Sequence, residues 1–297
     1  MPADAGFTAK LNRLVANVHR RAAGPTASAR EVAVGAETAI ARPQAASGPR
    51  AWLRRWWPLR AAFGVVTVTP LLRWGVAALA VPAGQTSRRT CPACATPFGL
   101  GSNADAGVLS PTGRCRGCGT RVGAPPYTIE AAALVVAAVL PASGLRGWEL
   151  AAYAWWAVLA LVLSFVDVVV QRLPNRLVFL AAGGFLVLTI PAALAGRHGD
   201  WLRAMVSGAA LATVLAVLAF IPGSGLGLGD AKFALAAGAA AGWVSVFAVM
   251  AAVFWSFVAL ALFGAVLIAA RRASWRTRIP YGPFLAAATL ATVVALR

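Results

Sequence analysis

Residues 231–270 form a run of forty positions with a single charge, Lys232. A helix rises about 1.5 Å per residue, so forty residues cover roughly two crossings of a 30 Å hydrocarbon core. The run therefore predicts a membrane hairpin, with Gly238 or Gly242-Trp243 as the place to turn. Other apolar blocks fall at 61–82, 128–145, 150–170, 177–195, 201–221 and 283–296. With 60% hydrophobic and only 12% charged residues, the chain reads as an all-α polytopic membrane protein. About seven or eight transmembrane helices are expected, with a small cytoplasmic insert between the first and second.

Four segments follow from this pattern. Residues 1–55 are rich in Ala, Gly, Pro and Arg without a strong period, and read as a disordered or poorly ordered tail. Residues 56–82 hold a first membrane helix, interrupted by Pro70 and Arg73, that either spans with a kink or dips into the bilayer. Residues 83–127 are a polar insert carrying all four cysteines, and residues 128–297 are the membrane-embedded core.

The charge is lopsided, at 27 Lys+Arg against 9 Asp+Glu. In a chain this apolar, the excess reads as basic loops on the cytoplasmic face of a lipid bilayer, not as a nucleic-acid surface. Arg88, Arg89, Arg114, Arg116 and Arg121 put the insert inside. Arg172 and Arg176, and then Arg271, Arg272, Arg276 and Arg278, do the same for two later loops. The basic N-terminal tail is the exception, since a spanning first helix places it outside.

Cys91-Pro-Ala-Cys94 and Cys115-Arg-Gly-Cys118 are two Cys-x2-Cys pairs at the spacing of a four-cysteine zinc site. Gly117 and Gly119 ease the second turn. Four thiolates leave no open coordination position, so the zinc is read as structural. Two disulfides, disfavoured in a reduced compartment, or a vestigial site are the alternatives.

Two acids stand apart from the rest. Asp167 closes one apolar block, and Asp230 lies in Gly227-Leu228-Gly229-Asp230-Ala231-Lys232 before another. Ionisable groups inside a membrane are expensive and are functional candidates by default. Taken singly, Asp230 could cap its helix and Asp167 could pair with Arg172 or Lys232. Taken together on one face, they suit peptide hydrolysis: one carboxylate activates water while the other, protonated, assists the carbonyl or leaving amine. No Gly-x-Ser-x-Gly elbow is present, and His19 and His198 lie far from either acid in sequence. A proton- or cation-coupled transporter using the same acids, and a non-catalytic assembly protein of a secretion system, are the rival readings.

At these residues the chain resembles the type IV prepilin leader peptidases, a family of bacterial membrane aspartic proteases. Asp167 is followed by Leu173-Pro174-Asn175, and Asp230 sits in the Gly-x-Gly-Asp-x-Lys motif of residues 227–232. Residues 279–284 read Ile-Pro-Tyr-Gly-Pro-Phe before the last block, and Glu130 follows the cysteine pairs. The resemblance implies catalysis by Asp167 and Asp230, supported by Gly227, Gly229, Lys232, Pro174 and Asn175. It implies a zinc ion on Cys91, Cys94, Cys115 and Cys118. It further implies removal of a short basic leader from type IV prepilins or type II secretion pseudopilins at the cytoplasmic face of the inner membrane. Longer members also N-methylate the product with S-adenosylmethionine. Their Ser-Phe-Leu-Asn-Val-Val motif ahead of an Arg is absent, since residues 66–73 read Val-Thr-Val-Thr-Pro-Leu-Leu-Arg. No residue is assigned to methyl transfer, and S-adenosylmethionine is expected only if that activity is retained.

Overall fold

The computed structural model describes residues 57–81, 85, 87–99, 104–221, 225–274 and 277–297. The tail of residues 1–55 and Arg276 lie outside the described residues. Eight α-helices are described: α1 (Trp57–Leu79), α2 (Thr128–Ala142), α3 (Gly147–Val170), α4 (Asn175–Ala192), α5 (His198–Ala219), α6 (Leu228–Val244), α7 (Val246–Ala269) and α8 (Gly282–Ala295). Among the described residues there is no strand, only isolated bridges in the insert. The fold is all-α, as expected. The stretches Gly147–Val170, Asn175–Ala219 and Val246–Ala269 are long and apolar enough to cross a membrane.

The middle stretch is two helices. Forty-five residues would run about 68 Å as one straight rod. The chain instead breaks at Ala195 and Gly196, where the φ of Gly196 is +106°. Three contacts then fix the directions. Arg203, early in α5, meets the end of α6, and Lys232, early in α6, meets Asn175 at the start of α4. Tyr153, early in α3, donates to Ala240 O near the end of α6 at 2.6 Å. Thus α4 runs with α6, while α3 and α5 run against it.

The hairpin in residues 231–270 is present, but it turns at Ser245, not at Gly238 or Gly242-Trp243. Ser245 is extended (φ −169°, ψ 164°), and its hydroxyl accepts from Ala248 N to start α7. Those glycines serve packing instead. A Cβ on Gly238 would stand 2.9 Å from Ser207 O, and one on Gly208 of α5 would stand 2.7 Å from Leu235 O. In a bilayer, where tails solvate apolar side chains as well as protein does, such close backbone approach drives helix association. The centre of α6 is mostly Ala and Gly, buried on every side from Phe233 to Trp243 apart from Leu235.

At the end of α6 away from Asp230, the Arg203 guanidinium caps the open carbonyls of Gly242, Trp243 and Val244 at 2.7, 2.8 and 3.1 Å. Asp200 holds that Arg at 2.8 Å and Arg197 at 2.6 Å. Glu149 takes Arg197, Arg297 and the Trp243 indole N–H. Glu149 on α3 and Asp200 on α5 thus tie these two helices to α6 and to the chain end that follows α8.

The first block is one helix that continues through Pro70 and Arg73. Arg73 is not a charge left in lipid. Its buried guanidinium makes a two-pronged pair with Glu130 at the start of α2, at 2.6 and 2.7 Å, beside Pro125 O. That pair fastens α1 to the end of the insert.

Candidate active site and metal centre

Asp167 lies in the last turn of α3. The helix ends because Gln171 takes a left-handed conformation (φ 49°), its N–H still donating to Asp167 O at 2.8 Å. Pro174, with φ −65°, leads into α4, and Asn175 is that helix's first residue. The buried Asp167 carboxylate accepts from Gly282 N at 3.1 Å. Neither Arg172 nor Lys232 forms an ion pair with it; Lys232 Nζ donates to Asn175 Oδ1 at 3.0 Å instead.

Asp230 sits at the third position of α6. It is buried, and its Oδ2 accepts from Gly227 N at 3.0 Å, which ties down one open N–H ahead of the helix. The capping expected of a lone Asp is therefore present, from inside the first turn. Neither Gly227 nor Gly229 has positive φ; among the described residues leading into α6, Gly225 does (φ +72°). Gly229 serves close approach: a Cβ there would touch Leu173 Cβ at 3.4 Å and Leu173 N at 3.6 Å. The two motifs thus lie directly against each other.

Asp167 and Asp230 line one cleft of about 740 Å³, together with Gln171, Arg278 and Tyr281. Gln171 Nε2 donates to Arg278 O at 2.9 Å and so fixes the strand of chain that enters α8. Tyr281 is buried, stacks on Phe257 (5.0 Å, 27°) and has its hydroxyl 2.7 Å from Ser256 Oγ. Ser256 gives its own proton to Val253 O, so Tyr281 is the donor to Ser256. Gly282, the next residue, is the one that holds Asp167, and a Cβ there would stand 2.9 Å from Asp167 Oδ2. Gln171, Ser256, Tyr281 and Gly282 were given no site role from sequence. The only signal for Tyr281 and Gly282 was their place in residues 279–284.

The region from residue 154 to 268, which contains both aspartates, matches the profile of the type IV leader peptidase family. The chain is 30% identical over 181 residues to a protein of Bacillus subtilis (strain 168) named prepilin leader peptidase/N-methyltransferase, covering 60% of this chain and 69% of that one. It is 31% identical over 209 residues to a protein of the same name from Burkholderia pseudomallei (strain 1026b), covering 69% and 66%. A third of that name, from Aeromonas salmonicida (strain A449), is 28% identical over 203 residues, covering 68% and 69%. The chain belongs to the type IV leader peptidase family. No solved structure matches it. The chain is therefore an enzyme of the peptidase type, and the cleft described above is lined by two of its buried acids.

In the insert, the four cysteine sulfurs lie within 4.8 Å of one another, and no disulfide joins them. Cys91–Cys118 and Cys94–Cys115 are each 3.6 Å apart. A tetrahedral site with metal–sulfur bonds of about 2.3 Å has edges of about 3.8 Å, so the donor set fits one ion. The two halves are built alike. Cys91 N donates to Thr96 O and Cys115 N to Thr120 O, with Ala95 and Gly119 at φ 57° and 71° as the turning residues. Hydrogen bonds from Thr96 bring the Cys94 thiol down to about 6. The backbone of Cys118 lowers Cys115, but burial and its neighbours Asp105 and Cys94 outweigh that and push it up. The fit to a metal therefore lies in the geometry of the four sulfurs. Asp105 joins the halves: its N–H donates to Pro97 O, while its carboxylate accepts from Gly107 N and Arg116 N at 2.7 and 2.6 Å. Burial pushes that carboxyl up, but the two N–H groups outweigh it and hold it below the usual range.

Proposed function

We propose that this leader peptidase is an aspartic endopeptidase of the bacterial inner membrane. It removes the short basic leader from type IV prepilins or type II secretion pseudopilins at the cytoplasmic face. The reading rests on one observation: Asp167 and Asp230, on different helices, line the same cleft, each held by a backbone N–H from a glycine. Two carboxylates sharing a site titrate as a pair. The ionised member takes a proton from water, and the protonated member polarises the scissile carbonyl and then protonates the leaving amine.

The supporting residues have distinct tasks. Gly229 lets the second motif lie on Leu173, and Gly227 gives Asp230 its N–H. Lys232 and Asn175 pin the start of α6 to the start of α4, and Pro174 sets the approach to that helix. A zinc ion on Cys91, Cys94, Cys115 and Cys118 would stabilise the insert, its role structural because all four positions are taken. Residues 83–127 are then a metal-bound insert and residues 128–297 the peptidase core, with the first helix packed against α2, α3 and the insert. The relatives' second named activity, N-methylation, is outside this assignment, and no residue is given to S-adenosylmethionine.

The test is leader removal from a pilin-like precursor in detergent. Asp167→Asn and Asp230→Asn each bring cleavage to background, and the double variant is no worse, because the pair acts as a unit. Serine and cysteine reagents leave it unaffected. Cleavage by either single variant at a substantial fraction of the wild-type rate sinks the aspartic mechanism and favours a transporter or docking role. Reporter fusions at Arg172 report the cytoplasmic side; an external signal there rejects the proposed face.

A further inference from the structure

Both α5 and α7 pack on α6, yet they scarcely touch each other. The aspartate cleft opens in the gap between them. Ala219, Phe220 and Ile221 line it from the end of α5, and Phe257 and Leu260 from α7. Phe220 and Ile221 are exposed at its mouth.

Depth matters. Leu260 lies nine residues before the end of α7 at Ala269, which is about 14 Å along the helix axis. A cleft reaching that level enters the hydrocarbon layer of a bilayer about 30 Å thick. Its other end is polar, bounded by Gln171, Thr277 and Arg278. The cleft is therefore two-sided: apolar toward the lipid, polar toward the rim, with the acids between.

We infer that the seam between α5 and α7 is a side opening through which the apolar helix of a membrane-anchored precursor reaches the aspartates, resting against Phe220, Phe257 and Leu260. This rests on the peptidase reading of Asp167 and Asp230. A scissile bond must be extended, and extended backbone left in lipid has unsatisfied polar groups. Only the polar end of the cleft can satisfy them, so the apolar part of the precursor lies on the lipid side and the leader leaves past Gln171 and Arg278. A second membrane-level hollow, of about 320 Å³ between α2, α3 and α8, is lined by Trp156, Phe165 and Leu290 and by no acid. It is the rival seat for the same helix and the natural comparison.

The experiment places a photo-crosslinking residue at Phe220 or Leu260, and for comparison at Val135 or Leu290 in the second hollow. The background is Asp230→Asn, so that a pilin-like precursor stays uncut. Adducts at 220 and 260, and none at 135 and 290, are expected. Adducts at 135 or 290, or equal labelling everywhere, overturn the side opening. In the wild-type background Leu260→Ser raises KM for the precursor about tenfold with a smaller change in kcat, as lost apolar contact in the ground state requires. Val135→Ser leaves both at the wild-type level. An unchanged KM for Leu260→Ser also counts against the proposal, thermal unfolding showing that the variant is folded. If cleavage does not depend on the aspartates, the peptidase reading itself has failed; if it does depend on them and adducts form only in the second hollow, the route alone is wrong.

Discussion

Replacing Gly282 by Ala exchanges a hydrogen for a methyl group at the point where α8 meets Asp167. The new Cβ would stand 2.9 Å from Asp167 Oδ2, about half an ångström inside ordinary contact, while Asp167 Cγ and Cβ stay at 3.5 and 3.7 Å. Only one oxygen is in the way. The cheapest relief is a rotation of the carboxylate, which breaks the 3.1 Å bond from Gly282 N and turns the acid from its partner. A hydrogen bond to a charged group contributes about 1.5–3 kcal/mol. At about 1.4 kcal/mol per factor of ten, kcat should fall about 10- to 150-fold. KM should move little, because the acid acts on the reacting bond. Stability should fall by no more than that lost hydrogen bond, because Gly282 does not have positive φ and Ala is the better helix former. The assay is steady-state cleavage of a precursor in detergent, with thermal unfolding in parallel. Gly183→Ala is the control, since a Cβ there meets nothing within 4 Å. A Gly282→Ala enzyme with kcat within twofold of wild type would refute the idea that this N–H holds Asp167.

Ser256→Ala should destabilise the protein by about 1–3 kcal/mol, because it strands the buried Tyr281 hydroxyl, whereas Tyr281→Phe should cost less, since Ser256 keeps Val253 O; thermal unfolding of the two variants reads the asymmetry. Arg73→Met should destabilise by about 3–5 kcal/mol by leaving Glu130 unpaired, and Arg73→Lys should restore only part, since Lys cannot make the two-pronged pair; unfolding in detergent checks both. Cys91→Ser with Cys94→Ser should lose one zinc per chain by elemental analysis and loosen the insert to protease, while wild-type protein purified at full activity without metal would contradict the site.

Much of this was legible in the chain. The apolar blocks located the helices, and Gly-x-Gly-Asp-x-Lys marked one of the two buried acids. The cysteine spacing marked four sulfurs that do converge. What escaped was long-range. Arg73 looked like a fault in a poor helix because its partner, Glu130, is 57 positions away and nothing local announces the pair. Gly238 and Gly242 looked like a turn because glycine serves both bends and close contacts, and only the facing residues on α5 decide between them. Asp230 was weighed as a cap or as an active-site acid, when its place in the first turn allows both. Tyr281 and Gly282 carry no charge, so the chemistry they support was invisible until α3 lay beside them.

The thinness of α6 has a consequence for how this enzyme can change over generations. Most helices tolerate drift on at least one face, where a longer side chain simply extends into solvent or lipid. With Ala and Gly through most of its centre and neighbours all round, α6 has almost no such face between Phe233 and Trp243. Its mutational landscape is nearly one-sided: at most of these positions a replacement adds bulk, and the bulk pushes against α5, α4 or α8. Because the same rod carries Asp230, such swelling also shifts the acid. Inheritable variation in specificity is therefore channelled away from this helix and into the walls that face it.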